Sequence, residues 1–104
     1  MSNFNADDLD PVIHGKLRLG VMAYLSSAGS ASFTTLREKT GSTDGNLSTH
    51  LRKLEDEGYI KIAKSFENRK PLSLVSMTDK GREKWICYLG KMRDLLGEST
   101  QKKA

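Results

Sequence analysis

Residues 43 to 60 read TDGNLSTHLRKLEDEGYI, and every neighbouring segment takes its meaning from this stretch. Thr43 can cap a helix through its hydroxyl, and Asp44 sets negative charge beside the positive end of the helix dipole. Leu47, Leu51 and Leu54 recur at i, i+4 and i+7 as one apolar stripe, and Gly58 supplies a left-handed stop. Opposite the stripe fall Gly45, Thr49, Arg52 and Asp56, with Ser48 and Lys53 at its flanks. Small and hydrogen-bonding groups come first on that face. This is the order needed by a helix whose N-terminal end enters a DNA major groove, where short side chains permit close approach and Ser, Thr, Asn and Arg meet base edges or phosphates.

The flanking segments support that reading. Ser32 can cap a short helix that carries Phe33 and Leu36 inward and ends at Thr40 and Gly41; only a brief turn separates it from the next helix, a helix-turn-helix pattern. Further upstream, Asp10 as cap and Pro11 at the first helical position predict a helix to about Ser27, with Ile13, Leu17, Val21, Tyr24 and Leu25 on one face. Gly15 and Gly20 weaken it, so packing must compensate or a neighbour must come close. The run Ser26 to Ala31 reads as a loop. Downstream of Gly58, residues 59 to 64 shift to a period near two, a strand signal. Ser65 to Pro71 reads as a charged turn containing Asn68, Arg69 and Lys70. Leu72, Leu74 and Met77 then alternate with Ser73 and Ser76 on a returning strand, and Val75 breaks the alternation. A basic-tipped hairpin directly behind such a helix is a wing. Thr78 caps the last helix, whose Trp85, Tyr88, Leu89, Met92, Leu95 and Leu96 make a stripe wider than one small core requires.

At 104 residues the chain has room for a single core, and residues 1–104 are expected to form one domain. Within it, residues 1–9 are expected to be a loose N-terminus, 78–97 a C-terminal dimerisation helix and 98–104 a polar tail. Lys and Arg outnumber Asp and Glu 17 to 13, giving a net charge of +4 and a pI near 9.3. That balance suits a polyanionic partner without naming one. Cys87 is the only cysteine, which excludes an intrachain disulfide and any multi-cysteine zinc or iron–sulfur site and fits a reducing cytoplasm. No apolar run reaches the ~20 residues that span a bilayer, and the polar, acidic start is unlike a signal peptide. A cytoplasmic location without membrane contact is expected.

Helix, helix, recognition helix, hairpin and long final helix, in that order, resemble the winged-helix transcriptional regulators of the MarR and ArsR type, specifically small stand-alone DNA-binding members. The resemblance runs from about Pro11 to Leu96. Leu17 with Tyr24 and Leu25 resembles the first core helix of that superfamily. Phe33, Leu36 and Gly41 resemble its second helix, and LSTHLRKLEDEGYI resembles its recognition helix running into the strand. Met77, Thr78, Gly81 and Arg82 resemble an apolar-Thr-x-x-Gly-Arg signature that opens the last helix. The fold class expected is α+β, mostly α: a winged helix-turn-helix with a two-stranded wing and a long C-terminal helix.

What the resemblance implies is a sequence-specific, homodimeric regulator of transcription that binds double-stranded DNA. Ser48 and Thr49 would contact bases or phosphates, Lys53 a phosphate, and Arg69 the minor groove from the wing. Thr43, Asn46, Arg52 and Lys70 complete the expected DNA-binding set. The dimer interface is expected at Ile13, Leu17, Trp85, Leu89, Met92 and Leu96. Asp44 and Gly45 depart from the usual pattern, because a carboxylate repels phosphate and glycine offers no side chain. The alternative is a winged-helix module that binds protein without reading DNA. His14, His50 and Cys87 are too scattered for a metal site, with no CxC or His-x-x-His pair, so no metal or cofactor is expected. His50 reads as a hydrogen-bonded packing residue and Cys87 as a packed thiol. No nucleophile, base and acid form a catalytic set and no Gly-rich phosphate loop is present, so an enzyme is not expected, and the effector, if any, is unspecified.

Overall fold

The computed structural model describes the backbone of residues 6–101 and side chains within 7–97. The first part of the expected loose N-terminus and the last part of the expected polar tail lie outside those residues. A 3-10 turn (Ala6–Asp8) precedes α1 (Lys16–Ala28), β1 (Ser30–Ser32), α2 (Phe33–Thr40), α3 (Asp44–Asp56), β2 (Ile60–Glu67), β3 (Lys70–Met77) and α4 (Asp79–Gln101). The strands form one antiparallel sheet in the order β1-β3-β2.

The expected first helix is split. Asp10 does cap a turn, accepting from the Val12 amide at 2.8 Å while its carbonyl accepts from His14 at 2.8 Å. The chain then straightens at Gly15, and α1 proper begins at Lys16. Arg18 holds the turn where it is, its Nε donating to the Val12 carbonyl at 2.6 Å. Tyr59 holds it from the other side, its hydroxyl donating to Asp10 Oδ2 at 2.6 Å. Burial and this hydrogen bond raise the Tyr59 pKa well above the ordinary phenol value, so the hydroxyl remains a donor. Within α1 the buried side chains are Val21, Met22 and Leu25, whereas Leu17 and Tyr24 are half-buried. At Gly20 the Thr40 methyl at the end of α2 lies 3.7 Å from where a Cβ would stand, an ordinary van der Waals distance, so the approach of α2 does not require glycine there.

β1 takes the last two residues of the run expected to be a loop, together with Ser32, the expected cap of α2. Ser30, Ala31 and Ser32 have little strand propensity, and pairing of Ala31 with Val75 sets them in the sheet. Val75 is fully buried and Leu74 exposed, so the returning strand has the opposite phase to that expected. The wing turn is also shorter than expected. Ile60 to Glu67 pair with Met77 back to Lys70 without a break, leaving Asn68 and Arg69 alone at the tip. Pro71 is tolerated in β3 because β1 pairs only with residues 74 to 76, leaving Pro71 without a strand on its other side.

The core joins α1, α2 and α3 to the sheet through Ile13, Met22, Leu36, Leu47, Leu54, Ile60 and Val75, closed at one end by Trp85 and Tyr88 of α4. Among the described residues no polar or charged side chain is buried. The radius of gyration is 15.8 Å with extents of 59 × 24 × 22 Å, against about 13 Å for a compact chain of this length. The hairpin and α4 extend beyond the core.

Candidate nucleic-acid interface

α2 and α3 are joined by a turn fixed at both ends. Gly41 adopts the left-handed conformation that ends α2, and its amide donates to the Arg37 carbonyl at 2.9 Å. Thr43 then caps α3 as its sequence implies, its hydroxyl accepting from the Asn46 amide at 3.2 Å. Leu47, Leu51 and Leu54 are buried. Their burial turns Gly45, Asn46, Ser48, Thr49, Arg52 and Lys53 to solvent along one continuous surface.

Details on this surface refine the expected roles. Thr49 donates its hydroxyl back to the Gly45 carbonyl at 3.0 Å, which leaves its lone pairs and methyl for an outside partner. Lys53 lies 3.6 Å from Glu57 one turn later, a contact weak enough to exchange for phosphate. Asp44 is not a bare charge. Arg37 of α2 reaches its Oδ1 at 2.7 Å, so the carboxylate at the helix start is neutralised from within. The sequence alone singles out no role for Arg37, because the pair spans two helices and only the turn brings it together. Gly45 has nothing within 4 Å of where a Cβ would stand and no positive φ, so neither packing nor backbone conformation demands glycine there.

The wing carries Arg69 at its tip, with Asn68 and Arg69 at φ 53 and 66. Two positive φ values in a two-residue loop mark a type I′ hairpin turn. Lys70 is directly across from Glu67, so its charge is partly balanced on that face. Strand alternation puts Lys64 and Phe66 on the face that carries Ile60 and Ile62, and Phe66 is 75 % exposed. Sequence reasoning missed Phe66 because it falls within the expected turn.

His50 is half-buried and its Nδ1 meets the Arg18 guanidinium at 2.9 Å. His14 Nδ1 is 2.7 Å from the Tyr88 hydroxyl. Both histidines therefore tie the N-terminal segments to α3 and α4. No cluster suited to a metal ion occurs among the described residues. Cys87 is exposed, contrary to the packed position expected, because it lies about 200° around α4 from Trp85.

The candidate dimer residues divide. Ile13 is 0 % exposed and Trp85 is nearly covered, so both belong to the protomer core; Ile13 has no surface to offer a second chain and is withdrawn from the interface. Leu17 and Met92 are half-buried. Leu89 and Leu96 are 41 % and 57 % exposed. Among the described residues no helix is long and apolar enough to cross a membrane.

Residues 17–96 match the family described as winged helix DNA-binding domain. An uncharacterised protein of Methanocaldococcus jannaschii is 31 % identical over 84 residues, covering 81 % of this chain and 91 % of that protein. The structure of a transcriptional regulator homologue from Pyrococcus horikoshii OT3 superposes with a TM-score of 0.80 at 29 % identity, covering 86 % of this chain and 88 % of that one. A protein of Enterococcus faecalis V583 described as a transcriptional regulator of the MarR family gives a TM-score of 0.73 at 25 % identity, over 88 % and 82 % of the two chains.

Proposed function

We propose, from the premise that this chain belongs to the winged helix DNA-binding domain family and is a transcriptional regulator similar to those of the MarR family, that it reads a specific double-stranded sequence as a homodimer. The observation that carries this reading is the exposed row on α3. Ser48 and Thr49 stand near its N-terminal end, where a major groove admits short side chains, and the longer, exposed Arg52 and Lys53 follow, suited to phosphates. The hydroxyls supply sequence preference, with Thr49 acting as an acceptor or through its methyl. Arg52, Lys53, Arg69 and Lys70 supply the counterion-release affinity. Asn46 and Thr43 border the same groove. With DNA as its partner, the protein works in the cytoplasm.

Leu89, Met92 and Leu96 pair two copies about a two-fold axis, and half-buried Leu17 of α1 adds to the interface. Two α3 helices then face the duplex about one helical turn apart, and the site is an inverted repeat with half-sites roughly 10 bp between centres. Selection from a random duplex pool, read by sequencing, tests the whole reading; an enriched inverted repeat is expected. Thr49→Ala should relax preference at one or two positions by about 1 to 3 kcal/mol, while Lys53→Ala should weaken all sequences alike. If Ser48→Ala with Thr49→Ala keeps the fold and the full preference, α3 does not read bases. A protein with no affinity for any duplex would leave the protein-interaction module as the account.

A further inference from the structure

An exposed phenylalanine on a hairpin built for DNA needs a reason. Phe66 is 75 % exposed and stands directly opposite Pro71, so the two form an apolar pair one step below the turn. They share a strand face with Lys64, Ser73, Ile62 and Val75. At the base of the hairpin that face is core, since Ile60 and Val75 are buried. Phe66 is about 20 Å further along the strand than Ile60, where the helices no longer cover it. The core side of the hairpin thus continues as an unprotected apolar tip.

We propose that Phe66, backed by Pro71, is an apolar wedge that enters the minor groove beside the α3 site and opens a base step there. The occupant is duplex DNA, for two reasons visible in the structure. Cations lie close to the pair along the hairpin, Lys64 two residues before Phe66 and Arg69 and Lys70 between Phe66 and Pro71, which matches a slot walled by phosphates. The hairpin is also continuous with the recognition surface, joining α3 through Glu57, Gly58 and Tyr59. Phenylalanine and proline are among the side chains that can part a minor-groove step, and a rigid two-stranded ribbon can support such a side chain. Flexible pyrimidine–purine steps open at least cost, so the wedge gives preference at a flanking position that no polar side chain contacts. The inference rests on the DNA-binding reading above and adds a second specificity element to it.

The test uses the full chain with a duplex carrying the selected site, labelled at its ends for energy transfer and with 2-aminopurine at successive flanking steps. The wild type should brighten 2-aminopurine at one step in each flank and shorten the end-to-end distance. Phe66→Ser should abolish both signals and weaken binding about tenfold at every salt concentration. The slope of affinity against salt should stay unchanged, since no cation is lost. An unchanged slope also reports that the wing still docks. Phe66→Leu should keep most of the bend and of the affinity. Should Phe66→Ser bind and bend DNA as the wild type does, or the wild-type complex be straight with every step stacked, the wedge is overturned while the DNA reading stands. A wild type that binds no duplex overturns the DNA reading and this inference together.

Discussion

Arg69 occupies a backbone position that glycine would hold at lower cost. At φ 66 a non-glycine side chain crowds its own carbonyl, and the preferred pair for this turn is Asn-Gly. Asn68 satisfies the first half of that preference; Arg69 does not. Arg69→Gly should therefore raise the unfolding free energy by up to about 1 kcal/mol. The same change removes a cation from the proposed DNA contact and should flatten the salt dependence of binding by about one unit. Denaturant melts and binding titrations over a salt range check the two halves. A variant no more stable, or one binding DNA as before, would remove the reason given for this residue. Gly45 poses the same opposition on α3. Its surroundings leave room for a Cβ, so Gly45→Ala should stabilise the helix by a few tenths of a kcal/mol to about 1. If α3 approaches the groove closely at this point, the added methyl should weaken binding at the same time. Equal or tighter binding would show that DNA comes no nearer than the longer side chains.

Thr78 and Gly81 form the joint between the α3–hairpin unit and α4. The Thr78 hydroxyl donates to the Gly58 carbonyl at 2.6 Å and accepts from the Gly81 amide at 2.9 Å. Its own amide donates to the Tyr59 carbonyl at 3.0 Å. A Cβ on Gly81 would run into the Tyr59 backbone, so Gly81→Ala should force the two elements apart and cost about 1 to 3 kcal/mol. Thr78→Val, which keeps the shape and loses both bonds, should cost about 1 to 2 kcal/mol. Thermal melts of the two variants decide, and an undisturbed Gly81→Ala would mean that the joint is loose. Elements like these are legible in the sequence because their signals are local: caps at Ser32, Thr43 and Thr78, the 3.6-residue leucine stripe, and the Gly58 stop. The division of the first helix is not. It depends on Arg18 and Tyr59, which hold the Asp10 turn from 8 and 49 positions away. The three residues of β1 are likewise set by β3 and not by their own side chains. At the site, the outward row on α3 can be read from periodicity. The Arg37–Asp44 pair and the exposed position of Phe66 cannot, since each follows from how two separate segments meet.

At the scale of the whole molecule, α4 leaves the core before its apolar stripe ends. Trp85, Leu89, Met92 and Leu96 follow one another at intervals of four, three and four, the spacing of a helix-pairing seam. Trp85 is buried in the protomer, but Leu89 and Leu96 stand in solvent. A continuous stripe of this kind gains most by facing its own copy, because a two-fold axis sets each residue against the same surface on the partner. Light scattering at micromolar concentration should report twice the chain mass. Leu89→Asp should return it to one chain while leaving the fold measurable by circular dichroism, since Leu89 is already 41 % exposed. Cys87 gives an independent reading: it is exposed and lies on the side of α4 away from the stripe, so a thiol reagent should label it equally in dimer and monomer. The link to function is geometric. If the two α3 helices are spaced by α4 pairing, Leu89→Asp should also abolish preference for the full inverted repeat while leaving the weaker affinity for one half-site. A wild type that stays monomeric over the micromolar range, or a Leu89→Asp protein that still prefers the full repeat, would show that α4 does not set the spacing of the recognition helices.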